Sequence, residues 1–127
     1  WLVVREHMPV YDDSNIFAKI LRGEIPNTTV YEDDQVLAFE DVAPQAPVHV
    51  MVIPKGKYAS MSEFIENASD AEVLALNRAI LKVVDAKGLR DSGYRTLVNN
   101  GDHGGQEVPH LHIHVCGGKP LGPLLVK

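Results

Sequence analysis

A single cysteine, Cys116, stands in the 127-residue chain, so no disulfide can form within it and the core alone must hold the fold. No apolar run approaches the roughly 18 residues that a membrane span requires. The opening residues, WLVVREHMPV, lack the apolar stretch and small-residue cleavage site of a secretory signal. Positive charge is scarce too: 12 Lys and Arg stand against 17 Asp and Glu, a net charge of -5. That balance argues against a grip on a nucleic-acid polymer or an anionic membrane by long-range attraction. It leaves a small anion open, because a local cradle of backbone N–H groups binds phosphate whatever the overall charge. A reducing, cytoplasmic setting fits these absences.

Aromatic residues make up only 6% of the chain, but hydrophobic residues reach 45%, enough for one globular core and too little length for two ordinary domains. His7 and Met8 read as a cloning junction. Residues 1–7 are therefore expected to be a leader foreign to the native chain, and residues 8–127 a single domain.

Punctuation along the chain divides it cleanly. DSNIFAKILRGEIP offers Asp13 or Ser14 as an N-cap, an apolar side at Ile16, Phe17, Ile20 and Leu21, and a stop at Gly23, the marks of a short amphipathic helix. TTVYEDDQVLAFED reads as a hairpin turning at Asp33 and Asp34, and VHVMVIP as a further strand between proline turns. Ser69 and Glu72 form a capping-box pattern ahead of a helical stripe of Val73, Leu76, Ile80, Val83 and Val84 that Gly88 ends. A further helical turn is suggested near Ser60. YRTLVNN and PHLHIHV complete about five strands, which points to an α+β sheet with helices on one face.

PHLHIHVCGG, residues 109–118, places three histidines at every second position. In a helix, His110 and His114 would share a face while His112 pointed nearly opposite, since successive residues turn about 100°. A strand aligns all three on one side and leaves Leu111, Ile113 and Val115 as an apolar row for a core. Three titratable rings on one face must be desolvated together, so a ligand or hydrogen-bond network has to compensate. Zinc is one candidate. His110 and His114, about 13 Å apart along a strand, converge poorly on one ion, and His49 or His103 would have to supply a third ligand. With no cysteine pair and no H-E-x-x-H helix, neither metal nor cofactor is expected. A phosphoryl site is the other candidate. GDHGGQ, with Gly101, Gly104 and Gly105, can bring amides close to an anion just ahead of the histidines. A neutral imidazole can attack phosphorus and leave again, provided its second nitrogen is held by an acceptor.

The alternation in HLHIHVC resembles the histidine-triad (HIT) superfamily of nucleotide hydrolases and transferases. NIFAKILRGEIP, EDDQVLAFEDVAPQAPVHVMVIPK and GGQEVPHLHIHVCGG are similar in order and spacing to its Hint branch, the purine nucleoside phosphoramidases, over about residues 14–122, and the closing KPLGPLLVK is similar to bacterial members. The resemblance implies an α+β HIT-like fold, an antiparallel sheet of about five strands with two main helices, continued across a homodimer. It implies hydrolysis of purine nucleoside phosphoramidates to a nucleoside 5'-monophosphate, AMP or GMP, and an amine through a nucleotidyl-histidine. His112 would be the nucleophile. His114 and the backbone of Gly105, Gln106 and Glu107 would contact the α-phosphate with Asn99 nearby, and His49 and His110 would orient His112. Asp41 would accept from the ribose hydroxyls, while Ile16, Phe17, Phe39 and Val42 would wall the purine pocket, although ordinary core serves equally for those four. Glu107 stands where animal members carry serine, and Pro109 where an aromatic is usual. A dinucleoside polyphosphate hydrolase and a non-catalytic nucleotide-binding module are the alternatives.

Overall fold

The computed structural model describes residues 8–126, so the expected leader at residues 1–7 lies outside the described residues. α1 (Ile16–Leu21) is capped by Asn15, whose side chain accepts from the Ala18 amide at 2.9 Å. Neither Asp13 nor Ser14 caps it. The Ser14 amide and hydroxyl both go to the Asp12 carboxylate, forming a turn ahead of the helix that carries the cap one residue further. Gly23, at φ +78°, takes the left-handed position that ends it.

β1 (Thr29–Glu32) and β2 (Val36–Glu40) form the expected hairpin, with the Asp33 carboxylate accepting from the amides of Gln35 and Val36 across the turn. β3 (Val48–Pro54) follows, and the suggested turn near Ser60 is a complete helix, α2 (Met61–Asn67). α3 (Asp70–Ala86) carries the reciprocal capping box of Ser69 and Glu72. β4 (Tyr94–Val98) and β5 (Ile113–Gly117) close one antiparallel five-stranded sheet of order β1-β2-β3-β5-β4. Among the described residues, no helix is long and apolar enough to cross a membrane.

Helices cover both faces, not one. Val36, Ala38, Val50, Val52, Ile113 and Val115 meet Leu76, Ala79, Val83 and Val84 of α3 and Phe64 of α2 in the main core. The alternate residues Leu37, Phe39, Met51 and Ile53 meet Phe17 and Ile20 of α1 on the other side. The near-continuous apolar run of β3 was the signal for this, since a strand buried on both faces loses its polar alternation. His49 and His114 share the parity of Met51 and so lie on the α1 face, His114 directly opposite Met51 in the β3–β5 ladder.

β5 begins later than the alternation suggests, at Ile113, leaving His110 and His112 in the irregular lead-in. Val52 pairs with Ile113; two residues on, where Leu111 would face Pro54, proline offers no N–H, and the Leu111 amide donates to the Tyr58 carbonyl at 2.8 Å. The apolar row survives: Leu111, Ile113 and Val115 all enter the main core.

Candidate active site

Each ring of the triad is held in a different way. His110 is fully buried. Its Nε2 lies 2.9 Å from the Pro54 carbonyl, which can only accept, so Nε2 carries the hydrogen and Nδ1 accepts from the Tyr11 hydroxyl at 2.8 Å. Burial pushes its pKa down to about 4, with the nearby His112 adding to the shift and the Pro54 bond opposing it. The ring is neutral and structural.

His112 donates Nδ1–H to the His110 carbonyl at 2.7 Å, which leaves the Nε2 lone pair unprotonated and free. Burial lowers its pKa, while the His110 carbonyl and the charges of Asp41 and Glu107 pull the other way. Phe17 stands edge-on to the ring at 4.9 Å between centroids. The carbonyl that holds His112 belongs to the same peptide as the Leu111 amide bound to Tyr58, and in a trans peptide the two groups point opposite ways. Anchoring the amide on Tyr58 therefore aims the carbonyl.

His49 and His114 form a second chain. The Gln45 amide donates to His49 Nδ1 at 3.0 Å, so His49 carries its hydrogen on Nε2, 2.9 Å from His114 Nδ1 and 3.3 Å from the Asp41 carboxylate. His114 then holds its own hydrogen on Nε2, and that buried atom takes no partner among the described residues. Burial, with the neighbouring His112 and His49 adding to the effect, pushes the His114 pKa down to about 4. A neutral ring with a buried, unaccepted N–H costs about 1–3 kcal/mol until an acceptor meets it. The ring centroids of His112 and His114 are 5.2 Å apart.

The glycine loop is shaped from within. Gly105 and Gln106 donate their amides to the carbonyls of Asp102 and Gly101, so of the three amides expected around an anion, only that of Glu107 takes no partner among the described residues. The Gln106 side chain accepts from the Gly101 amide and donates to the carbonyls of Ala59 and Val108, which makes it a clamp on the loop. A Cβ on Gly104 would lie 2.7 Å from the Asn100 carbonyl oxygen, so only glycine lets the loop fold back on residue 100.

The structure thus gathers Asp41, His49, His112, His114 and Phe17. His110 lies behind them as a support. Phe39 packs edge-on against Phe17 at 5.7 Å in the second core cluster, whereas Ile16 is about half exposed and Val42 wholly so. Asn99, just after β4, is half-buried, and Glu107 is exposed. Donor atoms of Asp41, His49 and His114 lie within 4.8 Å of one another and could together hold a cation, a set that draws on His49 but not on His103. Tyr11, Gln45 and Tyr58 escaped sequence reasoning. Tyr11 had no local signal, being 99 residues from its partner; Gln45 sits in the proline turn that was recognised, and only its amide matters.

The fold is thus an antiparallel α+β sheet that sets an imidazole lone pair, on His112, beside a neighbouring imidazole N–H, on His114. The HIT domain matches residues 22–121, and the chain belongs to the HIT family. It is 43% identical over 116 residues, 89% of this chain and 94% of the other, to a protein of Escherichia coli (strain K12) named purine nucleoside phosphoramidase. A histidine triad protein from Clostridium difficile superposes with a TM-score of 0.79 at 43% identity, covering 91% of this chain and 100% of that one. A HIT family hydrolase from Legionella pneumophila gives a TM-score of 0.78 at 43% identity, covering 86% and 96%.

Proposed function

We propose that the protein hydrolyses purine nucleoside phosphoramidates in two steps through a nucleotidyl-His112. The observation that carries this is the 2.7 Å bond from His112 Nδ1 to the His110 carbonyl, on a ring that burial keeps neutral. Nε2 attacks the α-phosphorus, the P–N bond breaks, and the amine leaves, taking a proton from water. Positive charge that develops on the ring is shared with the His110 carbonyl through Nδ1–H. Water then attacks the same phosphorus, and Nε2 departs with its lone pair as the monophosphate is released.

Negative charge on the phosphoryl oxygens meets the unaccepted His114 Nε2–H and the Glu107 amide, with Asn99 alongside. Asp41 serves the ribose hydroxyls, and Ile16, Phe17, Phe39 and Val42 flank the purine of AMP or GMP. No cofactor or metal enters either step. The exposed Tyr94 and Leu97 on the outer strand β4 support a homodimer that continues the sheet, and the lone thiol suits the cytoplasm. The relative named purine nucleoside phosphoramidase favours an amide over a dinucleoside polyphosphate as substrate.

Mass spectrometry of protein quenched during turnover should find a nucleoside monophosphate on His112, and His112→Ala should lose nearly all turnover while still binding AMP. A variant that keeps a tenth of the wild-type rate, a loss of only about 1.4 kcal/mol, would refute the nucleophile. AMP binding with no adduct on the wild-type protein would leave a nucleotide-binding module in its place.

A further inference from the structure

Behind the triad lies a contact that neither the triad pattern nor the glycine loop accounts for. Residues 8–12 precede α1 and lay Tyr11 against His110, with ring centroids 5.4 Å apart at 57° and the hydroxyl 2.8 Å from Nδ1. The position is stapled on its C-terminal side. The Asp12 carboxylate takes the Ser14 amide and hydroxyl, its carbonyl takes the Asn15 amide, and Lys57 pairs with Asp13 at 2.8 Å. Such a turn delivers a hydroxyl to one atom of a ring that is otherwise sealed.

His110 has two polar ring atoms, and the ring is fully buried. Among the described residues, Pro54 meets Nε2 and only Tyr11 meets Nδ1. The two bonds hold the ring like a bolt between the end of β3 and the N-terminal segment. A ring displaced from that bolt shifts residue 110, whose carbonyl, aimed by the Leu111 amide bond to Tyr58, is the acceptor for His112 Nδ1–H. We propose that Tyr11 is a positioning residue of the active site, whose hydroxyl fixes the tautomer and setting of His110 and, through the place of residue 110, the distance at which its carbonyl meets His112. The inference rests on the nucleophilic role given to His112 above.

Without the hydroxyl, Nδ1 is a buried acceptor with no donor, and the ring can exchange tautomers or turn over to relieve it. Tyr11→Phe keeps the aromatic contact and removes one oxygen, so it separates packing from hydrogen bonding. Its kcat should fall roughly tenfold with KM and AMP affinity unchanged, as expected when geometry for attack is lost and ground-state binding is not. In parallel, ring-nitrogen NMR should show His110 as the Nε2–H tautomer in the wild-type protein and, in Tyr11→Phe, an Nδ1 resonance moved towards that of a lone pair without a donor. Tyr11→Ala, lacking the ring as well, should lose no less activity and in addition stability.

Wild-type kcat in Tyr11→Phe, an unmoved His110 resonance, or a loss confined to KM would each overturn the proposal. If the wild-type protein formed no adduct on His112, the function itself would fall, whereas an equal rate of adduct formation in wild-type and Tyr11→Phe would remove only the role of Tyr11.

Discussion

An ordinary imidazole, with a pKa near 6.5, is mostly neutral at pH 7 but loses that state quickly as the solution acidifies. Burial lowers the pKa of all three triad rings and keeps the His112 lone pair available over a wider range. Glu107, exposed and close enough for its charge to act on His112, works against this shift. In the proposed reaction the same carboxylate would repel a leaving group that carries phosphate charge and tolerate an amine. Glu107→Gln should therefore raise the rate on a diadenosine polyphosphate several-fold while changing that on an AMP-amide by less than about threefold. Equal changes on both substrates in paired assays would remove Glu107 from leaving-group choice. A cation is the other charge that could enter here, between Asp41, His49 and His114. If catalysis runs on neutral imidazoles, dialysis against a chelator leaves turnover intact and added zinc inhibits by displacing the His49 Nε2–H and taking the His114 Nδ1 lone pair that accepts it. Activity lost on chelation and restored by zinc would reverse that ranking.

Elements differ in how much of themselves they write into the sequence. The capping box of α3 is a contact between residues three apart, and Ser69 with Glu72 announces it in full. The cap of α1 is also local, but Asp12, Asp13, Ser14 and Asn15 can all cap, and only the Asp12 turn decides for Asn15. The start of β5 depends on what Pro54 cannot donate some sixty residues away, so the alternating histidines overstate the strand. The triad itself was legible because its period is local, and so were the main-chain turns at Asp33 and Gly23. Tyr11 and Tyr58 were not, since they reach the triad only through the fold. The loop between β4 and β5 shows a middle case: its glycines signal close approach without saying to what. Gly104→Ala would force a Cβ against the backbone of Asn100, moving the loop and with it the Glu107 amide. Turnover should drop at least tenfold and the melting temperature by several degrees, because the loop's clamp by Gln106 resists relaxation. Unchanged kinetics in that variant would separate the loop from the site.

For the molecule as a whole, the site's chemistry is tied to its stability through protons. His110, His112 and His114 all have folded pKa values below the usual 6.5, about 4 for His110 and His114, chiefly because burial disfavours the charged ring. Between those values the unfolded chain binds protons that the folded one refuses, so stability must rise with pH across the interval and flatten above it. Each such ring contributes a slope of up to about 1.4 kcal/mol per pH unit while its unfolded form titrates. Lowered carboxylates point the same way but later: Asp12, Asp33, Glu72 and Asp85 are held down by hydrogen bonds or ion pairs, and their contribution is lost only as the pH falls past the ordinary carboxylate range. The urea midpoint is thus expected to hold steady from pH 8 to 7 and to fall progressively below about 6.5, before any carboxylate is protonated. A midpoint unchanged down to pH 5 would mean that the three rings titrate alike in the folded and unfolded chains. The neutral triad on which the proposed attack depends would then have no thermodynamic signature.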